Sequence, residues 1–218
     1  MAQAHNELES RLARERSGQA PPGFDPDRLA YLETAGWKAY YDHKWLLAFR
    51  LLVQLSHEQF GLSWLRSIQA AYYITRASIA WAPKENEPGK ARRYIRKFYR
   101  VGAKHGRGLS FDPAKVADAE FRYWVVHRRL SGRPQEEKGP LVDSFAELHS
   151  AIFGIPKEQA YPSAVSRARA ADTVDLITSK TSTDVAGDWQ RVENHLRDAY
   201  RSVKVELPQG SPPGLTVV

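Results

Sequence analysis

Apolar residues recur at helical spacing in one segment of this chain after another, and Gly or Pro stands between the segments. In the last segment they fall within roughly one third of the helical circle: Val185, Trp189, Val192, Leu196, Ala199, Tyr200 and Val203. Similar stripes run through 140–153 and 62–82, the latter formed by Trp64, Leu65, Ile68, Ala71, Tyr72, Thr75 and Ile79. We interpret these stripes as core-facing. No segment reads convincingly as a strand, so the pattern predicts an all-α fold.

Proline and glycine indicate where the helices begin and end. Asp25 followed by proline favours a short helix that Gly36 breaks, and a long helix is expected over 38–60. Asp112 followed by proline repeats the start signal, and Pro162 is expected to begin a helix that runs to Ser179. The other predicted helices are 62–82, 89–104, 140–153 and 184–204. We therefore expect a single helical bundle of about seven substantial helices.

Composition divides the chain into three parts. Residues 1–24 form a polar arm, 25–205 form the helical domain, and 206–218 form a tail rich in Pro and Gly. The arm and the tail lack a periodic apolar face, so we expect both to be irregular.

Several classes of protein are excluded or disfavoured. The chain has no cysteine, which excludes disulfides, thiolate metal sites and cysteine nucleophiles. It also has no phosphate-binding loop, dinucleotide fingerprint or zinc-protease motif. The apolar segment 62–82 is interrupted by Arg66, Gln69 and Arg76, which disfavours a transmembrane segment. The N-terminus has no apolar stretch typical of a secretory signal, so we expect a cytoplasmic location.

Basic residues are concentrated in 84–107, which carries nine Lys or Arg against two Glu. That excess of seven equals the formal net charge of the whole chain, +7. On the predicted helix 89–104 the cations occupy the side opposite to the apolar residues, and they are Arg92, Arg93, Arg96, Lys97 and Arg100. Like charges on adjacent turns cost a few tenths of a kcal/mol each, which favours a role beyond solubility.

The predicted basic face is either a solvated surface neutralised by neighbouring helices or a surface that binds an anionic partner. That partner is an acidic protein or subunit, a nucleic acid, or a charged membrane face. The acidic protein is preferred to nucleic acid because the chain has no zinc-finger spacing and no motif for stacking or reading bases. Tyr99 is the one aromatic residue expected near the basic side.

Polar residues on an apolar face give a second candidate site. Glu120, Tyr123 and His127 fall within the apolar arc of the predicted helix 113–130. His57 is added as a candidate because His43, Arg50, Gln54 and His57 are expected along one line of the helix 38–60.

A carboxylate and an imidazole facing a core must be satisfied, and this can happen in three ways. They form a closed polar network, they line a pocket as acid and base for a small aromatic or isoprenoid-like ligand, or they bind a metal. The metal is disfavoured because no Glu-x-x-His sequence is present, so no metal ligand is assigned.

The sequence favours a cytoplasmic adaptor or subunit that binds an anionic partner through the basic helix. The alternative is a small-molecule enzyme or ligand-binding protein with a pocket at Glu120, Tyr123 and His127, and nucleic-acid binding is a further alternative. An oligomer is compatible with either function. The sequence identifies no cofactor.

Overall fold

The protein is all-α. A computed structural model describes residues 23–107 and 109–207, and within these ranges it contains eight α-helices, a short 3-10 helix at Gln135–Glu137 and no strand. The α-helices are α1 Pro26–Tyr41, α2 Trp45–Phe60, α3 Trp64–Trp81, α4 Pro88–His105, α5 Pro113–Leu130, α6 Gly139–Phe153, α7 Lys157–Thr178 and α8 Val185–Glu206. The predicted fold class is confirmed.

The eight helices form a closed ring. Each helix makes its main contacts with the helices before and after it in the chain, and α8 returns to pack on α1. Short loops between consecutive helices favour antiparallel neighbours. The C-terminal ends of α1, α3, α5 and α7 therefore meet at one end of the ring. There Arg128 of α5 donates hydrogen bonds to the carbonyls of Trp81, the last residue of α3, and of Pro83 in the following loop.

Small residues allow the helices of this ring to pack closely. Helix α7 carries a buried row of alanines at the spacing of one helical face, Ala160, Ala164, Ala168 and Ala171. Alanine keeps the distance between helix axes short and costs little conformational entropy in a helix. Larger side chains complete the core between the helices, among them Phe145, Leu148, Val192 and Leu196.

The boundary between α1 and α2 was predicted wrongly. Gly36 does not break α1, which continues to Tyr41, and the predicted long helix 38–60 is divided by the loop before Trp45. The break falls at His43, whose φ of 56° is left-handed. Glycine in a helix costs only about 1 kcal/mol, which packing of the remaining turns can offset.

Pro162 does not begin a helix, because α7 starts five residues earlier and Pro162 lies inside it. Proline fits best in the first turn, where its missing N–H is not needed, and this preference led to the wrong start. Pro162 is exposed, and its neighbour Tyr161 donates a 2.9 Å hydrogen bond to Asp143 of α6, which helps to hold this turn on the bundle.

The apolar stripe of α3 is only partly in the core, which corrects the interpretation from its periodicity. Ala71 and Thr75 are buried. Five other members of the stripe are exposed: Trp64, Leu65, Ile68, Tyr72 and Ile79. A ring helix has two neighbours and an outer side, so its periodicity alone does not tell which arc faces inward.

The predicted arm and tail lie mostly outside the described residues, which begin at Gly23 and end at Leu207. Phe24, assigned to the arm, is buried and contacts the rings of Phe153 and Tyr200. None of the described helices combines the length and the apolar character that a membrane crossing requires.

Candidate functional site

A cavity of about 520 Å³ occupies the middle of the ring, and all eight helices contribute to its wall. Many of the lining side chains are aromatic: Trp37, Tyr40, Tyr41, Trp45, Trp81, Phe98, Tyr99, Tyr123, Trp124, Phe153 and Tyr200. The closed ring explains the space, because helices that pack mainly on two neighbours leave their axis unfilled. A cavity of this volume, with both aromatic rings and polar groups in its wall, is within the range of small-molecule sites.

The cavity reaches the surface where α1, α3, α5 and α7 end. Tyr41, His43, Arg128 and Ser131 line it there and are exposed. Arg128 lies over the Trp81 ring at 4.2 Å from its centroid, so its guanidinium closes one side of the opening. Its hydrogen bonds to carbonyls that α3 leaves unpaired hold it in this position.

Glu33 of α1 and Arg167 of α7 form a buried ion pair in the cavity wall. The guanidinium donates from both terminal nitrogens, with Nη1 3.0 Å from Glu33 Oε2 and Nη2 also hydrogen-bonded to Oε1. Tyr200 of α8 donates a 2.6 Å hydrogen bond to the same Oε2. Arg167 also lies near the rings of Trp37 and Phe145. This group therefore ties three helices together and places a neutralised charge pair beside the cavity.

Glu120 of α5 lines the cavity and is held by two neutral donors. Tyr99 of α4 donates to Oε2 at 3.1 Å, and Trp124 donates to Oε1 at 2.7 Å. Burial raises the pKa of Glu120, while the positive charge of Arg167 and these two hydrogen bonds oppose the rise. Burial and the carboxylate of Glu120 hold the pKa of Tyr99 well above its ordinary value. Glu120 is therefore a carboxyl group of fixed orientation, and its raised pKa is of the kind used in general acid or base chemistry.

Tyr123 and His127 lie on the same face of α5 as Glu120, nearer to the opening. The rings of Tyr123 and His127 stack at 6.1 Å, and Tyr123 also packs on Phe145 at 4.4 Å. The Tyr123 hydroxyl has no hydrogen-bond partner among the described residues, and burial raises its pKa well above the ordinary value. It is therefore a neutral group that can donate to a molecule in the cavity.

His127 is positioned by a carboxylate of α7. Its Nε2 lies 3.4 Å from Asp175 Oδ1, which also accepts a 2.8 Å hydrogen bond from Ser131. Lys138 lies 3.6 Å from Asp175 Oδ2 and also binds Asp172. Although burial works against it, the contacts with His127, Ser131 and Lys138 hold the pKa of Asp175 below its ordinary value. Asp175 is therefore ionised at neutral pH.

His149 of α6 is a second histidine in the cavity wall. Its Nδ1 lies 2.6 Å from the hydroxyl of Ser163, and both side chains are buried. Burial and the nearby charge of Arg167 lower the pKa of His149 well below its ordinary value. The imidazole is therefore neutral at physiological pH.

The structure brings three of the four predicted pocket residues together. Glu120, Tyr123 and His127 all line the central cavity. His57 does not, because its Nδ1 lies 2.6 Å from the carbonyl oxygen of Leu62 and its ring stacks on Trp64 at 4.1 Å. It lies in a separate surface cleft, and the predicted line from His43 to His57 is interrupted because His43 lies outside α2.

The basic helix is partly neutralised by α5. Arg92 and Arg96 both bind Asp118, at 3.0 and 3.1 Å. Arg93, Lys97 and Arg100 are exposed and form no ion pair with another described residue. Lys97 instead lies 5.6 Å from the ring centroid of Tyr73 on α3 and 5.5 Å from that of Tyr94. Tyr99 is buried and points to Glu120, which corrects its expected place near the basic side.

Sequence reasoning missed the residues that complete the cavity wall. Glu33, Arg167 and Tyr200 lie on three helices that are distant in sequence, so no local spacing links them. A weak signal was present in Arg167, a long cation on the alanine-rich face of α7. A buried arginine on such a face requires an anionic partner, but the sequence does not indicate which carboxylate supplies it.

No group of three or more His, Asp or Glu side chains suited to a metal ion occurs in the described part of the chain. Comparison with known proteins returned no match to a family model, a curated protein or a solved structure.

Proposed function

We propose that this protein binds a small, largely apolar molecule in the central cavity. The observation that carries the proposal is the cavity itself, about 520 Å³ surrounded by eight helices and with many aromatic rings in its wall. Folded proteins rarely keep so large a space without use, because unfilled volume in a core is destabilising. The aromatic side chains of the wall would make apolar contacts with the ligand, and the fixed polar groups would orient it.

The same wall could support proton transfer on the bound molecule. Glu120 is a carboxylate whose pKa is raised by burial, and His127 is held by Asp175 on the same side of the cavity. Such a pair can act as acid and base, with Tyr123 as a hydrogen-bond donor to the ligand. We therefore keep Glu120, Tyr123 and His127 as candidate catalytic residues. His57 is not part of this proposal, because it does not line the cavity.

The cavity proposal is tested by placing a large side chain in the cavity at a position where it replaces no existing side-chain contact. Gly36 lines the cavity, and a Cβ built at this position meets no atom within 4 Å. Gly36→Trp should fill part of the space, whereas Gly36→Ala is the matched control. We expect saturable fluorescence enhancement of 1-aminoanthracene with the wild-type protein and with Gly36→Ala, and a large loss with Gly36→Trp.

Two further measurements make that test decisive. Thermal unfolding and far-UV circular dichroism should show that both Gly36 variants fold as the wild type does. The native mass of the purified protein, compared with its denatured mass, reports a small molecule retained from the host. Dye binding that persists unchanged in a folded Gly36→Trp protein would refute the proposal.

A second candidate function rests on the surface formed by α3 and α4. The exposed cations of α4 lie beside the exposed apolar residues of α3, and the Lys97 contact with Tyr73 joins the two helices. We propose that this surface binds an acidic protein, with Arg93, Lys97 and Arg100 as the main contacts and Arg92 and Arg96 shared with Asp118. The positive charge would attract the acidic protein and orient it, and the apolar residues would add area that is buried on binding. The cytoplasmic location and the oligomeric state remain predictions from the sequence.

This second candidate is tested by charge reversal. The triple variant of Arg93, Lys97 and Arg100 to Glu should lose salt-dependent binding to poly-L-glutamate, whereas reversal of Arg129, Arg133 and Lys180 changes the net charge equally at another place. Equal losses in the two variants would show a non-specific charge effect and contradict the proposal. Tighter binding to duplex DNA than to poly-L-glutamate would indicate a nucleic-acid site instead.

A further inference from the structure

We infer that the molecule bound in the central cavity is an organic cation, an amine with an apolar or aromatic body whose charged group binds beside Glu120. This inference rests on the proposed cavity function and adds the chemical class of the ligand. Three observations support it: the balance of charge in the wall, the remaining hydrogen-bond capacity of Glu120, and the aromatic lining.

Every carboxylate in the cavity wall except Glu120 has a basic side chain within ion-pair distance among the described residues. Glu33 is neutralised by Arg167. Asp175 lies within ion-pair distance of Lys138 and His127. Glu120 has no cationic side chain within ion-pair distance among the described residues, and both of its hydrogen-bond donors are neutral. One negative charge therefore faces the cavity without a partner, and a buried charge is strongly stabilised by a cation nearby.

Glu120 retains capacity for a ligand. Each carboxylate oxygen can accept about two hydrogen bonds, and each accepts one in the structure, from Tyr99 or from Trp124. The two donors also fix the orientation of the carboxylate. An ammonium group could therefore bind Glu120 without displacing a protein contact.

The aromatic wall favours a cation over a neutral or anionic group. Indole and phenol rings carry negative potential on their faces and attract ammonium groups. Trp37, Trp124, Tyr40 and Tyr123 line the same cavity as Glu120.

An anionic ligand has no comparable partner in this cavity. Both terminal nitrogens of Arg167 bind Glu33, and its Nε is buried away from solvent-accessible space. His149 is neutral because burial lowers its pKa. Arg128 is at the opening, where it binds the carbonyls of Trp81 and Pro83.

The test compares the binding of six probes, in which an amine, an alcohol or a carboxylate is attached to one of two apolar groups. Tryptamine, tryptophol and indole-3-propionate share an indolylethyl body, and octylammonium, octanol and nonanoate share an octyl body. Isothermal titration calorimetry at pH 7.5 would measure each with the wild type, Glu120→Gln, Gly36→Trp and the surface control Glu147→Gln. We expect the amine of at least one series to bind about tenfold or more tighter than its alcohol, and the carboxylate to bind least.

The variants separate this inference from the cavity proposal. Glu120→Gln should remove the preference for the amine while leaving the affinity for the alcohol within about threefold, and Glu147→Gln should change neither. An alcohol or a carboxylate that binds tightest, with binding lost in Gly36→Trp, would overturn the cation and leave the cavity function standing. Saturable binding by none of the six probes, or binding unaffected by Gly36→Trp, would overturn both.

Discussion

The pair formed by Glu33 and Arg167 shows how a single buried contact can be both costly and necessary. Bringing two charges into the interior loses hydration, and their attraction offsets that loss only with good geometry. Here Arg167 binds Glu33 in a bidentate arrangement, and Tyr200 donates a third hydrogen bond to the Glu33 carboxylate. We expect the pair to add little net stability, although removal of either partner alone leaves an unmatched buried charge.

A double-mutant cycle measures this asymmetry. Glu33→Leu should lower the free energy of unfolding by about 3–5 kcal/mol, because Arg167 is left without its anion. The double variant Glu33→Leu, Arg167→Met should be destabilised much less than the sum of the single variants. Urea unfolding followed by tryptophan fluorescence would provide the values.

An exposed pair serves as the control for this cycle. Lys90 and Glu87 lie 2.9 Å apart on the surface, so Glu87→Ala should change the free energy of unfolding by about 0.5 kcal/mol or less. If the Glu33 and Arg167 variants prove additive, the two side chains do not act as a buried pair and the description of the cavity wall is wrong.

His149 makes stability depend on pH in a defined direction. Its pKa is lowered in the folded protein, so below pH ~6.5 the unfolded chain binds a proton that the folded protein excludes. Stability is therefore lost as pH falls below the ordinary histidine value. Between pH 7.5 and 5.5, His149→Gln should reduce the loss of unfolding free energy by about 1 kcal/mol compared with the wild type.

Two other groups define the control for this pH effect. The pKa of Glu120 is raised, so it contributes with opposite sign, but it is present in both proteins and cancels in the comparison. His195→Gln should change the pH dependence less than His149→Gln, because His195 is partly exposed on α8. An unchanged pH dependence in His149→Gln would show that folding does not lower the pKa of His149.

At the scale of helices, capping side chains fix three of the described N-termini, those of α1, α5 and α8. Asp112 accepts hydrogen bonds from the backbone N–H groups of Ala114 and Lys115 at the start of α5, at 2.8 and 3.3 Å. Ser63 occupies the same position before α3 but its side chain makes no capping bond. Asp112 and Ser63 are therefore N-cap residues with and without a capping hydrogen bond, and Ser63 serves as the control for Asp112.

Replacing the capping side chains tests this difference. Asp112→Ala should cost about 1 kcal/mol of unfolding free energy, and Asp112→Asn should restore most of it, since asparagine caps nearly as well. Ser63→Ala should cost less than about 0.5 kcal/mol. Chemical denaturation of the three variants gives these values, and equal losses at positions 112 and 63 would contradict the assignment of the cap.

The elements differ in how far sequence could predict them. Asp112 with its following proline marked the start of α5 correctly, because capping is local chemistry. Pro162 misled because tertiary packing holds it inside α7. The sequence placed Glu120, Tyr123 and His127 on one face of α5, and all three line the cavity. The sequence could not predict the cavity itself, because closure of the ring depends on contacts between distant segments.

Over the whole molecule, the contact between α1 and α8 closes the ring and encloses the cavity. Polar contacts follow this seam, with Arg201 bound to Asp27 at 2.9 Å and Lys204 donating to the Phe24 carbonyl at 3.1 Å. Apolar side chains of α8 lie fully within the core, among them Val192, Leu196 and Val203. Each such side chain contributes roughly 1.5–3 kcal/mol by burial, a large share of the net stability of a domain.

We therefore expect the ring to unfold as one cooperative unit that needs α8. The full chain should show coincident unfolding transitions by far-UV circular dichroism and tryptophan fluorescence. A chain ending at Thr183 should lose its near-UV signal and its sharp transition while keeping part of its helix content, because the open ring exposes its core. A separate peptide of residues 184–207 should restore part of the near-UV signal. If the shortened chain kept a native near-UV spectrum and a sharp transition, the seven remaining helices would fold without closure, and the cavity would not depend on the ring.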